Sequence, residues 1–407
     1  MKKVHPGNVL CILVFILVCI PSLSFGSGFG VFTQGASALG QGSAVVAHND
    51  SPSAIFYNPA LINGLPGTQV EIGTTLLFPD REFKSDLTGK KYETEDNVFY
   101  PSTFYFTHAF NPSISAGLGL FNPFGLGTTW PDDWEGRYIA TKSELTTYNI
   151  NPVISWRITP KFTMAAGVDF IYLDSTLESK VPSAAMGIPG PSFDVKQKFE
   201  GNGNGIGYNL GLLLNVTDAV SLGISYRSEV KVDIDGDLSL SITDDKTSGK
   251  TSMTLPQQVF AGVAYKPTDK LVLEMGMRWE DWSSFDQLKI DISGQSPAVY
   301  PRDWHGTFAF NVGGKYRINN MAAITAGYLY GKNPIPDSNF EPAIPDSDVH
   351  LFCLGVEAQF GNFGIALAYA YQLQEEREKS TNHYGAIANG EYDTHIHILG
   401  LSLNYRL

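Results

Sequence analysis

Two histidines at alternate positions, His395 and His397, share a strand phase with Asp393 near the end of the chain. Imidazoles two residues apart on one face could ligate a metal, or one of them could serve a lipid hydrolase as base. No serine in a recognisable nucleophile context shares that face, and the same phase runs on through Leu399, Leu401, Leu403, Tyr405 and Leu407. The expectation is a structural place at a membrane interface, with no metal, no cofactor and no enzyme activity. Ser248-Gly249-Lys250-Thr251 ends like a phosphate-binding loop, but Asp244 stands where the earlier glycine is required, so it reads as a hairpin loop. Gly201, Gly203, Gly205, Gly207 and Gly211 lie opposite Tyr208, Leu210, Leu212 and Leu214 in one strand phase. A nucleotide site would need a helix after them, which the sequence does not supply. They read either as space for something inside a lumen or as curvature of a barrel wall.

The remaining polar chemistry is charge. Arg227, Glu229 and Lys231 fall on one strand, Glu274, Arg278 and Glu280 on another, and Lys315 and Glu357 belong to the same set of inward candidates. Most should pair with one another, because a narrow lumen rarely leaves a charge without a partner. A basic side chain in such a place could also receive a ligand carboxylate, and Arg227, Arg278 and Lys315 are the choices for that role. The loop from Lys180 to Lys196 is apolar for an exposed connection, with Val181, Ala184, Ala185, Met186, Ile188 and Phe193. Exposed apolar clusters mark interaction sites, so Val181, Met186 and Ile188 are expected to capture a hydrophobic molecule; packing over a barrel mouth is the alternative.

The elements that carry these residues are strands. From Gly67 to Leu407 the chain repeats runs of about ten residues that are apolar at every second position, without a long helical pattern between them. Phe162, Met164, Ala166, Val168, Phe170 and Tyr172 oppose Thr163, Ala165, Gly167 and Asp169; Leu271, Leu273, Met275, Met277 and Trp279 oppose Glu274, Gly276, Arg278 and Glu280. Tight turns at Asn111-Pro112, Thr159-Pro160-Lys161, 215–219, 266–270, 317–320 and Gly361-Asn362 alternate with long connections near 80–97, 122–143, 179–195, 239–250, 291–303, 331–348 and 377–391. This implies an all-β transmembrane barrel of about 14 strands, with both termini on the short-turn, periplasmic side of a Gram-negative type outer membrane.

Composition agrees. Lys2 and Lys3, the apolar run from Val9 to Ile20, and Ser24-Phe25-Gly26 read as a signal peptide over 1–26. Its removal leaves 26 basic residues against 41 acidic ones, a formal charge of about −15, which argues against nucleic acid as a partner. Cys11 and Cys19 leave with the signal, so Cys353 stands alone and no intramolecular disulfide can form. No later run approaches the roughly 18–20 apolar residues of a membrane-spanning helix.

Residues 27–66 do not alternate. Asp50-Ser51-Pro52 reads as a helix start with Ser51 as the cap and Pro52 at the first helical position. Asn58-Pro59 ends that turn and opens another through Ala60 and Leu61. A compact element joined to the periplasmic end of the first strand is expected inside the barrel as a plug, with 67–407 forming the barrel itself.

These residues carry a resemblance. Ser27-Gly28-Phe29, then Gly35-Ala36-Ser37-Ala38-Leu39-Gly40, then the run from Asp50 through Phe56, Tyr57, Asn58, Pro59 and Ala60, resemble the hatch of the FadL/TodX-type outer-membrane transporters of long-chain fatty acids and aromatic hydrocarbons. Asn122-Pro123-Phe124-Gly125-Leu126 and Trp134-Glu135-Gly136-Arg137-Tyr138 extend it, and it covers essentially the whole mature chain. The resemblance implies a fourteen-stranded barrel with a hatch that includes Phe29, Asp50, Phe56, Asn58, Pro59 and Ala60. It also implies capture of ligand at outer loops, transfer to a pocket against the hatch, and sideways release beside a kinked third strand. Here that strand runs from Ser113 to Phe121, and Gly117 and Gly119 on its inner face are expected to permit the bend. The expected partners are a hydrophobic small molecule, whether fatty acid, alkane or aromatic, and outer-membrane lipid, with the barrel acting as a monomer. A polar-solute porin and a membrane-embedded hydrolase are the rival readings.

Overall fold

The computed structural model describes residues 28–294, 296–381 and 385–407. The signal peptide expected over 1–26 lies outside them. Fourteen antiparallel strands close into a barrel. In chain order they are β1 (Thr68–Ser85), β2 (Lys91–Glu93 and Ser102–Asn111), β3 (Ile114–Phe121 and Gly125–Thr129), β4 (Lys142–Thr159), β5 (Phe162–Pro182), β6 (Asp194–Asn215) and β7 (Val220–Arg227 and Val230–Leu240). They continue as β8 (Lys246–Leu255 and Gln258–Thr268), β9 (Leu271–Glu280 and Gln287–Ile292), β10 (Ala298–Pro301 and Thr307–Arg317), β11 (Ala322–Gly331), β12 (Val349–Phe360), β13 (Phe363–Gln374 and Arg377–Lys379) and β14 (Gly390–Arg406). The barrel closes where β1 meets β14, in unbroken register from Gln69 opposite Arg406 to Ser85 opposite Gly390. Closure pairs the first strand with the last, so the sheet presents no free outer edge to lipid at that seam.

The period-two pattern reads out directly as two faces. On β5, Met164, Ala166, Val168, Phe170 and Tyr172 are exposed, while Thr163, Ala165 and Asp169 are buried. Farther along, the outward face of β5 and β6 turns polar: Lys196 pairs with Glu178 at 2.5 Å and Lys198 with Glu200 at 2.5 Å. The strands thus rise beyond the apolar band, and the connection expected at 179–195 shrinks to 183–193, with Val181 inside β5. The upper lumen is filled by an aromatic core that includes Phe83, Trp130, Trp134, Trp282, Phe285, Trp304, Phe340 and Tyr392, drawn from strands and outer loops.

The lower lumen holds most of residues 28–65, while Phe29 near their start packs against Trp282 of the upper core. These residues form α1 (Ala36–Gly40), α2 (Ala54–Tyr57) and a 3-10 turn (Pro59–Gly64), almost all buried. Gly313 and Gly327 let the Gln41 backbone lie against the wall; a Cβ on either would overlap it. Asn58 closes α2 and caps the following turn, its side chain accepting from the Ala60 N–H at 3.1 Å with Pro59 next in line. The expected cap at Ser51 is absent, because α2 starts at Ala54 and the Ser51 hydroxyl donates to the Glu71 carboxylate instead. The inward glycines divide: Gly211 faces Asn58 and Pro59, whereas Gly201 to Gly207 face the side chains and backbone of β7.

Candidate transport cavity and wall opening

Seven strands are interrupted, and the break in β3 matters most. Below it, β2 and β3 pair from Asn111 opposite Ile114 to Phe104 opposite Leu120. Above it, Gly125–Thr129 pairs only with β4, from Gly125 opposite Thr146 to Thr129 opposite Lys142. Pro123 restricts the preceding residue and removes a ladder donor, so the strand cannot run straight through. It bends inward to a new partner: the Val31 N–H donates to the Pro123 carbonyl at 2.8 Å, and the Gly125 N–H to the Phe29 carbonyl at 2.9 Å. The N-terminal segment thereby replaces β2 along this stretch of β3.

The result is an opening in the wall between β2 and β3. Its lower edge is the Ser102 N–H on the Asn122 side-chain carbonyl at 3.2 Å. Its upper edge is the Glu95 N–H on the Thr129 carbonyl at 2.9 Å and the Asn97 amide on the Thr129 hydroxyl at 3.3 Å. Asn122 is held in turn, donating to the Thr147 carbonyl at 2.6 Å and accepting at its own carbonyl from the Gln34 amide at 2.6 Å.

Behind the opening lies a cavity of about 850 Å³, the size range of a small-molecule site. Phe29, Val31, Phe32, Phe121, Phe124 and Leu145 give it apolar walls. Its lining also includes Leu120, Tyr148 and Ile150, which face lipid at 37%, 55% and 51% exposure, so it runs from the lumen to the outer surface of the barrel. Three charged residues line it, Arg81, Glu144 and Asp346, none of them expected from the sequence. Arg81 is the one basic group among the described residues lining the cavity; its Nη1 donates to the Gly127 carbonyl at 2.9 Å. Asp346 accepts from the Gly28 N–H at 3.0 Å, and burial lifts its carboxyl to about 7 against the pull of Arg377. The assignment of 80–97 to a loop hid Arg81, although it shares the inward phase of Glu71 and Phe83 on β1.

The residues read from the sequence are placed elsewhere. Arg227 is paired with Asp169 and points at the Phe56 carbonyl. Arg278 lies beside Glu280 at 3.3 Å and over the Phe32 ring. Lys315 is held between Asp50 at 2.6 Å and Glu357 at 2.7 Å. All three are inward and buried, and none lines the cavity. Glu229 and Lys231 are exposed, because β7 breaks after Arg227 and its register against β6 shifts by one residue. Val181, Met186 and Ile188 also lie apart from the cavity, with Met186 38% exposed. Gly117 and Gly119 sit in the paired ladder facing Ile55; a Cβ would meet that side chain at 2.7 Å and 3.1 Å, and the bend comes farther along, at 122–124. Of the hatch residues, Phe29 lines the cavity, and Asp50 binds Lys315 and, at 2.8 Å, Arg317. Burial would raise the Asp50 carboxyl, but those two cations hold it well below the usual range. Phe56 packs edge-on against Phe121. His395 and His397 face outward, against Asp80 at 3.1 Å and the Tyr369 hydroxyl at 2.9 Å.

Comparison with known proteins sets this geometry in a family. A family model described as outer membrane protein transport protein (OMPP1/FadL/TodX) matches residues 17–407. The chain is 23% identical to the long-chain fatty acid transport protein of Escherichia coli O6:H1, covering 97% of each. It is 24% identical to a 47 kDa outer membrane protein of Pasteurella multocida over 97% of each. Among solved structures, a Pseudomonas aeruginosa FadL homologue superposes with a TM-score of 0.84 at 20% identity, over 93% of this chain and 99% of that one. The Ralstonia pickettii toluene transporter TbuX does so at 0.74 and 17% identity, over 93% and 100%. With its closed barrel, inward-folded N-terminal segment and match along nearly its whole length, the chain belongs to the outer membrane protein transport family OMPP1/FadL/TodX.

Proposed function

We propose that this protein carries hydrophobic small molecules, fatty acids or aromatic hydrocarbons, across the outer membrane by passive diffusion through the cavity and sideways out of the wall. The chain is an outer-membrane β-barrel of a transporter family, and its relatives include proteins named for fatty acids and for toluene. One observation carries the reading: an apolar cavity of about 850 Å³ that reaches lipid-facing side chains through a break in the wall. A methylene gains about 0.8 kcal/mol on leaving water, so an apolar-walled path is a better route for such a solute than an aqueous pore. Because Phe29 and Val31 are bonded to the bent part of β3, rearrangement of the N-terminal segment would alter the opening directly. That segment, residues 27–66, acts as the hatch, anchored by Glu274 and by the Asp50 pairs. Exposed Met186 and Phe193 on the loop after β5 support first capture there, and closure of the barrel on itself supports action as a single chain.

The test uses Tyr100, which stands on the rim of the opening and is 71% exposed. Tyr100→Cys should take up palmitate at the wild-type rate, lose uptake when a bulky methanethiosulfonate reagent is attached, and regain it on reduction. The native Cys353 is buried and should remain unlabelled. Full palmitate uptake by the labelled protein would remove the lateral route.

A further inference from the structure

One aromatic ring crosses the wall opening. Val98 and Tyr100 point outward at 47% and 71% exposure, so strand alternation turns Phe99 between them inward. The Phe99 backbone is fixed to β1: its N–H donates to the Leu77 carbonyl at 3.1 Å, and the Leu77 N–H returns to its carbonyl at 2.8 Å. From that anchor the ring reaches across to the outward-facing side of the inward-bent β3 and rests on Gly127, where a Cβ would overlap Cε1 and Cζ of the ring. The seat is rigid, since Gly127 lies in the ladder opposite Glu144 and its carbonyl accepts from Arg81. Both Phe99 and Gly127 line the cavity.

We propose that Phe99 is the stopper of this opening, seated on Gly127, and that it sets how wide a hydrophobic molecule can pass. The inference rests on the lateral route proposed above. A ring on a fixed backbone moves by rotation of its own side chain, a fast motion that needs no change in strand pairing. A linear chain passes a partly displaced ring, whereas a fused-ring system requires the ring to leave its seat. Glycine at 127 is part of the device, because any side chain there would take the place of the ring. Two substitutions of opposite volume should therefore have the same effect: Phe99→Ala removes the stopper, and Gly127→Ala removes its seat.

The experiment compares uptake of palmitate with uptake of pyrenedecanoate in cells carrying equal surface amounts of each protein. Phe99→Ala and Gly127→Ala should each raise the pyrenedecanoate-to-palmitate ratio about two- to tenfold, the range that corresponds to losing one aromatic contact. The double variant should go no further than either single one, and Phe99→Trp should lower the ratio, which keeps the test decisive even where Gly127→Ala assembles poorly. An unchanged ratio in Phe99→Ala, or a Phe99→Trp ratio at or above wild type, would overturn the proposal. Labelled Tyr100→Cys separates the two failures. Palmitate uptake that survives the label condemns the lateral route, whereas uptake that is blocked while the Phe99 ratios stay flat condemns the stopper alone.

Discussion

At the scale of residues, the lumen is held by carboxylates that the strand pattern points inward. Glu274, fully buried on β9, accepts the Val46, Ala47 and His48 N–H groups at 2.5, 3.0 and 3.0 Å, and the His48 ring at 2.8 Å. Replacing it with Gln sets an amide against those donors, at a cost of about 3 kcal/mol or more. Planar-bilayer recordings of Glu274→Gln should then show frequent openings where the parent protein stays closed. Asp346 gives a pH dependence. Its carboxyl rises from an ordinary 3.8 to about 7 through burial, so the folded barrel keeps a proton that the unfolded chain releases. The associated stability is present in acid and lost as pH rises through about 7. The barrel should melt at a lower temperature at pH 8 than at pH 5, and Asp346→Asn should reduce that difference. The inward phase of Glu274 was readable from its strand. That its partners would be three backbone donors of the N-terminal segment was not, because the contact spans over two hundred residues of sequence.

At the scale of elements, strands and turns were legible because the side-chain period of two is local and one face must meet lipid. All six tight turns fall where Pro, Gly and Asn mark them. What local pattern could not give was interruption. The break after Arg227 reverses the phase of Glu229 and Lys231, and the break at 122–124 moves the bend away from Gly117 and Gly119. Those two glycines face Ile55, so Gly117→Val and Gly119→Val should push on α2 before they stiffen β3. The double variant should assemble, since Ala116, Leu118 and Leu120 still face outward, but lose most palmitate uptake. The loop after β5 makes a different prediction. Changing Val181, Met186 and Ile188 together to Ser should weaken uptake at low palmitate and leave the saturated rate near wild type; equal loss at all concentrations would place those residues in the channel rather than at its approach.

At the scale of the whole molecule, the architecture joins two features that neither half has alone. The N-terminal segment lies in the lumen and also pairs with Pro123–Gly125 where β3 leaves the wall, so the inward-folded segment and the opening share one set of hydrogen bonds. Deleting residues 27–66 should therefore do two things together: create a steady conductance, and let β3 return to β2, lowering uptake of palmitate relative to a small polar solute. The central claim is the path itself, and a photoactivatable palmitate carrying a diazirine at the chain end reads it most directly. After illumination of the purified protein, cross-linked peptides should map to 29–33, 98–102 and 120–127, the cavity and both rims of the opening. Cross-links confined to 183–193 and to the periplasmic side around Asp50 and Lys315, with none on the rims, would contradict the lateral path.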